Sequence, residues 1–198
     1  MEREKAKDRN RAKIREAAEA IIRAEGMERL NMRRLAQDAG VSIATPYNLF
    51  GSKADVLVSI LVTKQMDFHS PPAEQDGKPA LELLFDAHDA IRQFFGSDEE
   101  FFRAVQREIM VAEDTAPSHA GLKQTTFVIR GYIDQAKVRG ELRSDTDIDE
   151  LSHHLATIMV AVQGMWASSF FSNEESMEHI KRSWIGALEE YKIAAQSG

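Results

Sequence analysis

The sequence predicts an all-α protein of about nine helices, divided into a small N-terminal head of three to four helices and a larger C-terminal bundle. Three observations predict it. Apolar residues recur at helical spacing nearly throughout, and no alternating strand pattern survives. Helix start and stop signals punctuate the chain at short intervals. Charge is unevenly placed: residues 1–53 hold 12 Lys/Arg against 8 Asp/Glu, and residues 54–198 hold 13 against 24, within a net charge of −7. A basic head on an acidic body points the head alone toward a polyanion.

The composition bounds the class. A chain of 198 residues suits one domain or two small ones. With 43% hydrophobic and 29% charged residues it is expected to fold rather than remain disordered. Zero cysteines exclude disulfides, Cys-based zinc sites, iron–sulfur clusters and a thiol nucleophile, and suit a cytoplasmic setting. The opening Met-Glu-Arg-Glu-Lys lacks the apolar run of a secretory signal. The longest apolar stretch, Leu155 to Ala167, has 13 residues, whereas a membrane span needs roughly 20, so no membrane partner is expected.

The elements follow in order. Arg3, Lys5, Lys7, Arg9, Arg11, Lys13 and Arg15 alternate along the N-terminus and read either as a solvated, frayed end or as a flexible arm on phosphates. A first helix carries Ile14, Ala17, Ala18, Ile21 and Ile22 and stops at Gly26. Asn31 is a candidate N-cap for the second, with Leu30 and Leu35 placed as a hydrophobic staple. That helix ends at Gly40, and a short third runs from about Ser42 to Phe50. A fourth starts at Ser52, with Asp55 as an acidic capping-box partner, and continues to about His69. Ser70-Pro71-Pro72 breaks it, and Gly77-Lys78-Pro79 precedes a helix with Leu81, Leu84, Phe85, His88, Ile91 and Phe95 on one face. Ser97 to Glu100 spells a capping box before Phe101–Val111, and Ala116-Pro117 separates that helix from one over about 118–138, ended by Gly140. Asp145 to Asp149 offers caps for a helix of about 147–170, and Ser172 to Glu175 is a further capping box before a last helix of about 174–195.

The informative stretch is Arg33 to Tyr47. A helix of about eight residues ends at a glycine, turns through Val41-Ser42 and starts a second short helix, which is a helix-turn-helix pattern. Ala36 is small enough for the two helices to cross closely, Gly40 tolerates φ > 0, Val41 plugs the corner, and Ser42 is placed to cap the second helix. Ala44, Thr45 and Asn48 face outward on a helix that can enter a major groove about 12 Å wide. An ordinary αα-corner is the alternative for the turn by itself; the basic head and the extension Tyr47 to Leu57 weigh against it.

As a set, residues 14–57 resemble the DNA-binding head of the tetracycline-repressor (TetR) family. The resemblance rests on Ile14, Ala17, Ala18, Ile21, Gly26, Arg33, Leu35-Ala36, Ala39-Gly40-Val41-Ser42, Thr45, Tyr47, Phe50, Ser52-Lys53 and Val56-Leu57. Gly140 to Asp147 is similar to that family's approach to its dimer-forming helices. The resemblance implies a homodimer that sets two heads in successive major grooves of a palindromic, double-stranded DNA operator, and a small-molecule effector that lowers DNA affinity from the C-terminal bundle. It places Arg33, Ser42, Ala44, Thr45, Tyr47 and Lys53 where family members meet DNA. Ala44 stands where glycine is common, Pro46 where leucine is common and Leu49 where histidine is common, which removes one expected phosphate contact and leaves the operator sequence open.

The bundle is rich in aromatic and Met side chains, which at helical spacing read first as core. The resemblance implies that some line an effector cavity. Candidates are the apolar Phe85, Met110, Phe127 and Met159 and the polar His88, Gln106, Thr126 and Gln163, since a pocket needs a few oriented polar groups; a satisfied core or interface role is the alternative for each. His153 and His154 follow Asp149 and Glu150 at i,i+4 spacing and read as near-surface histidines with helix charge pairs rather than metal ligands. No metal, cofactor or catalytic residue is expected: no His-Glu-x-x-His, Gly-rich phosphate loop or Gly-x-Ser-x-Gly is present. Leu155, Ile158, Val162, Trp166, Trp184, Leu188 and Tyr191 exceed one buried stripe and suggest that the last two helices, about 147–170 and 174–195, pair with their symmetry mates, with a wholly intramolecular core as the alternative.

These readings converge on a cytoplasmic, dimeric, effector-responsive transcriptional regulator acting as a repressor. Residues 1–53 form the arm and DNA-binding domain, and residues 54–198 the effector-binding and dimerisation domain. The opposing class is an all-α enzyme or carrier whose head no longer binds DNA.

Overall fold

The computed structural model describes residues 2–68, 77–113 and 116–192, which are helical nearly throughout. The helices are α1 (Glu2–Glu25), α2 (Met32–Asp38), α3 (Ala44–Phe50), α4 (Lys53–Phe68), α5 (Ala80–Gly96), α6 (Glu99–Met110), α7 (Ala116–Val138), α8 (Ile148–Ala167) and α9 (Asn173–Glu189). A 3₁₀ turn, Met27–Arg29, joins α1 to α2. Two compact units emerge: Met1–Asp67 with Glu100–Pro117, and Phe68–Glu99 with Ser118–Gly198. Packing thus places α6 in the unit that holds the head, whereas charge alone divides the chain at residue 53.

In the first unit, α1 buries Ile14, Ala17, Ala18, Ile21 and Ile22, one stripe at 3–4-residue spacing. Apart from Ala6 and Ala12 its N-terminal half is polar, but it is helical from Glu2, with the i,i+3 pairs Glu4–Lys7 at 3.3 Å and Asp8–Arg11 at 3.0 Å. The alternating basic run is therefore a helical extension and not a flexible arm. Gly26, at φ 91°, ends the helix in a region that L side chains avoid. Asn31 caps α2 by accepting the Arg34 N–H at 2.9 Å. At α4 the expected box is present: the Ser52 hydroxyl accepts from the Asp55 N–H at 3.1 Å, and the Asp55 carboxylate accepts from the Ser52 N–H at 3.0 Å. Helix α6 buries Phe101, Phe102, Val105 and Ile109, and the Arg23 guanidinium of α1 lies 4.4 Å from the Phe101 ring centroid.

The second unit packs α5 and α8 against α9. Trp184 of α9 is 1% exposed, and its indole N–H donates to the Leu155 carbonyl at 2.9 Å. A group this large, buried with its one donor satisfied, is a principal support of the core. The N-terminus of α5 receives a cap that no local pattern announces. The Glu141 carboxylate accepts the backbone N–H groups of Ala80 and Leu81 at 2.6 and 2.9 Å. Gly140, at φ 72°, turns the chain after α7 so that Glu141 can reach there. Asp147 caps α8 by accepting from Asp149 and Glu150, and Ser172 with Glu175 closes the expected box at α9.

Four expectations change. The Ser97 hydroxyl closes α5 by donating to the Phe94 carbonyl at 2.7 Å rather than opening α6. Helix α8 stops at Ala167, three residues early, because the chain turns there with Ser169 at φ 65°. Helix α9 ends at Glu189, and the expected continuation to 195 runs beyond the described residues. Leu155, Trp166, Trp184 and Leu188, read as candidates for an intermolecular seam, are at most 1% exposed and belong to the unit's own core. The break at Ser70-Pro71-Pro72 lies outside the described residues.

Candidate nucleic-acid interface and bundle interior

Helix α2 ends in a Schellman motif, with the Val41 N–H on the Ala36 carbonyl at 2.9 Å and the Gly40 N–H on Gln37 at 3.2 Å. Gly40 sits at φ 65°, where a Cβ is disfavoured by the backbone although nothing else stands within 4 Å. Ala36 and Leu35 are fully buried, which lets α2 meet α3 closely. Pro46 lies in the first turn of α3, is buried, and lacks only an N–H that has no intrahelical partner there. With Pro46 inward, Ala44, Tyr47 and Asn48 are turned out. Tyr47 is 52% exposed and Ile43, just before the helix, is 58% exposed.

The six residues placed at the interface differ in their engagement. Arg33 is exposed and makes no hydrogen bond or ion pair among the described residues. Its neighbour Arg34 is occupied by Glu25 and Asp38, each at 2.8 Å, which hold its guanidinium above the ordinary arginine range; the Asp38 hydrogen bond is the larger influence. Ser42 does not cap α3. Its hydroxyl pairs with the Thr45 hydroxyl at 2.8 Å, while the Thr45 N–H goes to the Ser42 carbonyl. Ala44 and Tyr47 share the outward face of α3. Lys53, the first residue of α4, is ion-paired with Glu108 of α6. Sequence reasoning missed Glu108, since nothing local links positions 53 and 108. It also passed over Ile43, whose signal was an apolar side chain at the outward edge of a short helix.

The effector candidates do not form one group. Gln106 and Met110 lie on α6 in the first unit, and Met110 is 52% exposed. Thr126 is satisfied by its own helix, donating to Leu122 at 2.9 Å, and Phe127 is 72% exposed. Phe85, His88, Met159 and Gln163 remain in the second unit, with His88 2%, Met159 4% and Gln163 8% exposed. Both His88 ring nitrogens and the Gln163 Nε2 are buried without a hydrogen-bond partner among the described residues. Such groups cost about 1–3 kcal/mol each when left unpaired. Burial pushes the His88 pKa down, against a smaller opposing pull from Asp89. Thr146 Oγ1 and Asn173 Oδ1 are also unpartnered, but both sit at helix starts.

The outward face of α8 and α9 holds an open groove of about 800 Å³ lined by Glu150, His153, Thr157, Ile158, Gly186 and Tyr191, among others. Met165 and Ile185 are 46% and 43% exposed. His153 and His154 are exposed, and no group of three or more His, Asp or Glu side chains able to hold a metal occurs among the described residues. No described helix is long and apolar enough to cross a membrane.

Residues 14–60 match the model for bacterial regulatory proteins, tetR family. No curated protein matches the sequence closely enough to count as a relative. Among solved structures, FadR from Thermus thermophilus, a TetR-family transcriptional repressor in complex with lauroyl-CoA, superposes with a TM-score of 0.72 at 18% identity, covering 95% of this chain and 100% of its own. TylP, a TetR regulator from Streptomyces fradiae, gives 0.64 at 18% identity over 93% and 87%. A TetR-family regulator from Rhodococcus sp. gives 0.58 at 20% identity over 92% and 98%. At these identities the likeness is one of fold.

Proposed function

We propose, from the match of residues 14–60 to the tetR family of bacterial regulatory proteins, that the chain is a homodimeric repressor which binds a palindromic operator and is released by a small-molecule effector. The observation that carries this reading is the α2–Gly40–α3 unit on a basic head, with an unpaired Arg33 and an exposed Tyr47 beside it. Arg33 can take a phosphate or a guanine edge, and Tyr47 and Thr45 hydroxyls can donate to phosphates. Ile43 and Ala44 present apolar groups suited to a thymine methyl. Lys53 reaches a phosphate once it leaves Glu108. The acidic remainder of the chain adds no polyanion affinity, so residues 1–53 act as the DNA-binding part and 54–198 as the effector-binding and dimerising part.

The outer face of α8 and α9 supports dimerisation: Ile158, Met165, Ile185 and Tyr191 lie on it, and the buried tryptophans stay within the protomer. The effector acts by differential affinity, favouring a head spacing that cannot span two half-sites; couplings of this kind are typically worth about 1–3 kcal/mol. The protein works by binding rather than by catalysis, in the cytoplasm where its DNA is. Footprinting on the DNA flanking its own gene, with a salt titration, tests the reading. A protected inverted repeat whose affinity falls steeply with salt is expected. Equal affinity for flanking and random duplexes, or none, returns the chain to the enzyme-or-carrier class.

A further inference from the structure

The interior of the second unit carries polar groups that its own fold leaves unused. His88 of α5 is 2% exposed, its ring centroid lies 5.4 Å from that of Trp184, and the Phe85 ring is 6.3 Å from the same indole. The indole N–H is already given to Leu155, so Trp184 offers His88 a surface and no acceptor. The Asp89 carboxylate is 3.7 Å from Nδ1, outside hydrogen-bonding reach. Seven residues along α5, on the same face, Phe95 packs 5.2 Å from Trp166 of α8. One turn before Trp166 stands Gln163, whose buried Nε2 also lacks a partner. His88 and Gln163 therefore lie on the stripes of α5 and α8 that carry Phe95 and Trp166, each a buried polar group left unused.

We propose that this interior is the effector subsite, and that it takes an uncharged, largely apolar molecule whose oxygen or nitrogen groups hydrogen-bond to the His88 imidazole, with the Gln163 amide as second contact. A neutral imidazole has one N–H and one lone pair, so it suits a ligand offering an acceptor and a donor together, as a carboxamide, a phenol or a hydroxyl-bearing lactone does. Gln163 Nε2 asks for an acceptor. A carboxylate is disfavoured, because an anion buried here loses its hydration and meets the Asp89 carboxylate, which already lies 3.7 Å from His88 Nδ1. This deepens the regulator reading and rests on it.

The test uses matched probes on the full-length protein: naphthalene-2-carboxamide and dodecanamide against naphthalene-2-carboxylate and dodecanoate. Intrinsic tryptophan fluorescence reads binding, since Trp184 touches His88. At least one carboxamide is expected to bind saturably, at least tenfold more tightly than its carboxylate partner. His88→Phe is expected to weaken it at least tenfold and Gln163→Leu by a smaller factor, with DNA affinity in the absence of probe unchanged. Ring ¹⁵N resonances of wild-type His88, assigned by loss in His88→Asn, are expected to move with the carboxamide, which keeps the test readable if His88→Phe misfolds. No saturable binding by either carboxamide, preference for a carboxylate, or binding insensitive to His88 overturns the proposal. Loss of DNA binding in the wild-type protein, with His88-dependent carboxamide binding retained, overturns the regulator reading and leaves the subsite standing.

Discussion

At the scale of single residues, one of the cations placed at the proposed interface is already engaged. Lys53 is paired with Glu108, and both side chains are only about one-third exposed, at 32% and 28%. In the proposed DNA complex a phosphate displaces that carboxylate. Glu108→Gln should therefore raise affinity for a random 30-base-pair duplex a few-fold, measured by fluorescence anisotropy. Lys53→Ala should reduce the slope of log affinity against log salt by about 1. An unchanged slope would mean that Lys53 never meets the backbone. His88 makes a second prediction at this scale. Its pKa is lowered in the folded state by burial, with Asp89 and Arg92 on its own helix and Lys181 on α9 as lesser influences. The unfolded chain then holds the extra proton below the ordinary histidine pKa of about 6.5. Stability conferred by the neutral ring is present above that value and is lost as pH falls through it. Urea melts should show a decline from pH 7 to pH 5 that is shallower in His88→Phe.

At the scale of elements, the backbone turns decide the outcome. Gly40 supplies the left-handed residue that lets α2 end and α3 begin, and nothing crowds a Cβ there, so the cost of Gly40→Ala is conformational. A loss of about 1–2 kcal/mol is expected from the left-handed penalty, with weaker DNA binding as α3 shifts. Ser169 is the converse case, a non-glycine at φ 65° after α8, with its N–H on Trp166 and the Phe170 N–H on Met165. Ser169→Gly should raise the melting temperature by a few degrees; a fall would show that the side chain holds the turn for another reason. Helix starts were legible because caps act over three residues: Asn31, Ser52, Asp147 and Ser172 all accept the N–H groups that their sequence positions predict. Ser97 followed the same rule and failed, because its hydroxyl found the carbonyl behind it before the N–H ahead. Glu141 capping α5 from about sixty residues away had no signature to read.

At the scale of the whole molecule, the α2–α3 wedge and the bundle interior belong to different compact units, and the outer face of α8 and α9 is the face proposed to receive a second copy. Met165→Glu with Ile185→Glu should dissociate the dimer in sedimentation experiments while leaving the helical content intact, since both side chains are nearly half exposed. Trp184→Ala should instead destabilise each protomer by about 3–5 kcal/mol, because a large buried side chain and its hydrogen bond are lost together. Sedimentation of the double variant as an unchanged dimer would move the interface elsewhere.

The candidate site divides the same way. The α2–α3 wedge was readable from Ala36, Gly40 and the residues after them because each acts on its immediate neighbours. The starts of α2, α4, α8 and α9 were likewise set by interactions within one turn, and a linear chain displays such interactions openly. Only the tertiary structure decided that Trp166 and Trp184 face inward while Met165 and Ile185 face out, that Lys53 is held by Glu108, and that His88 lies buried without a partner. The physical reason is that a 3.6-residue period marks an apolar face without naming what covers it, and an ion pair or an unmet hydrogen bond exists only once distant segments have been brought together.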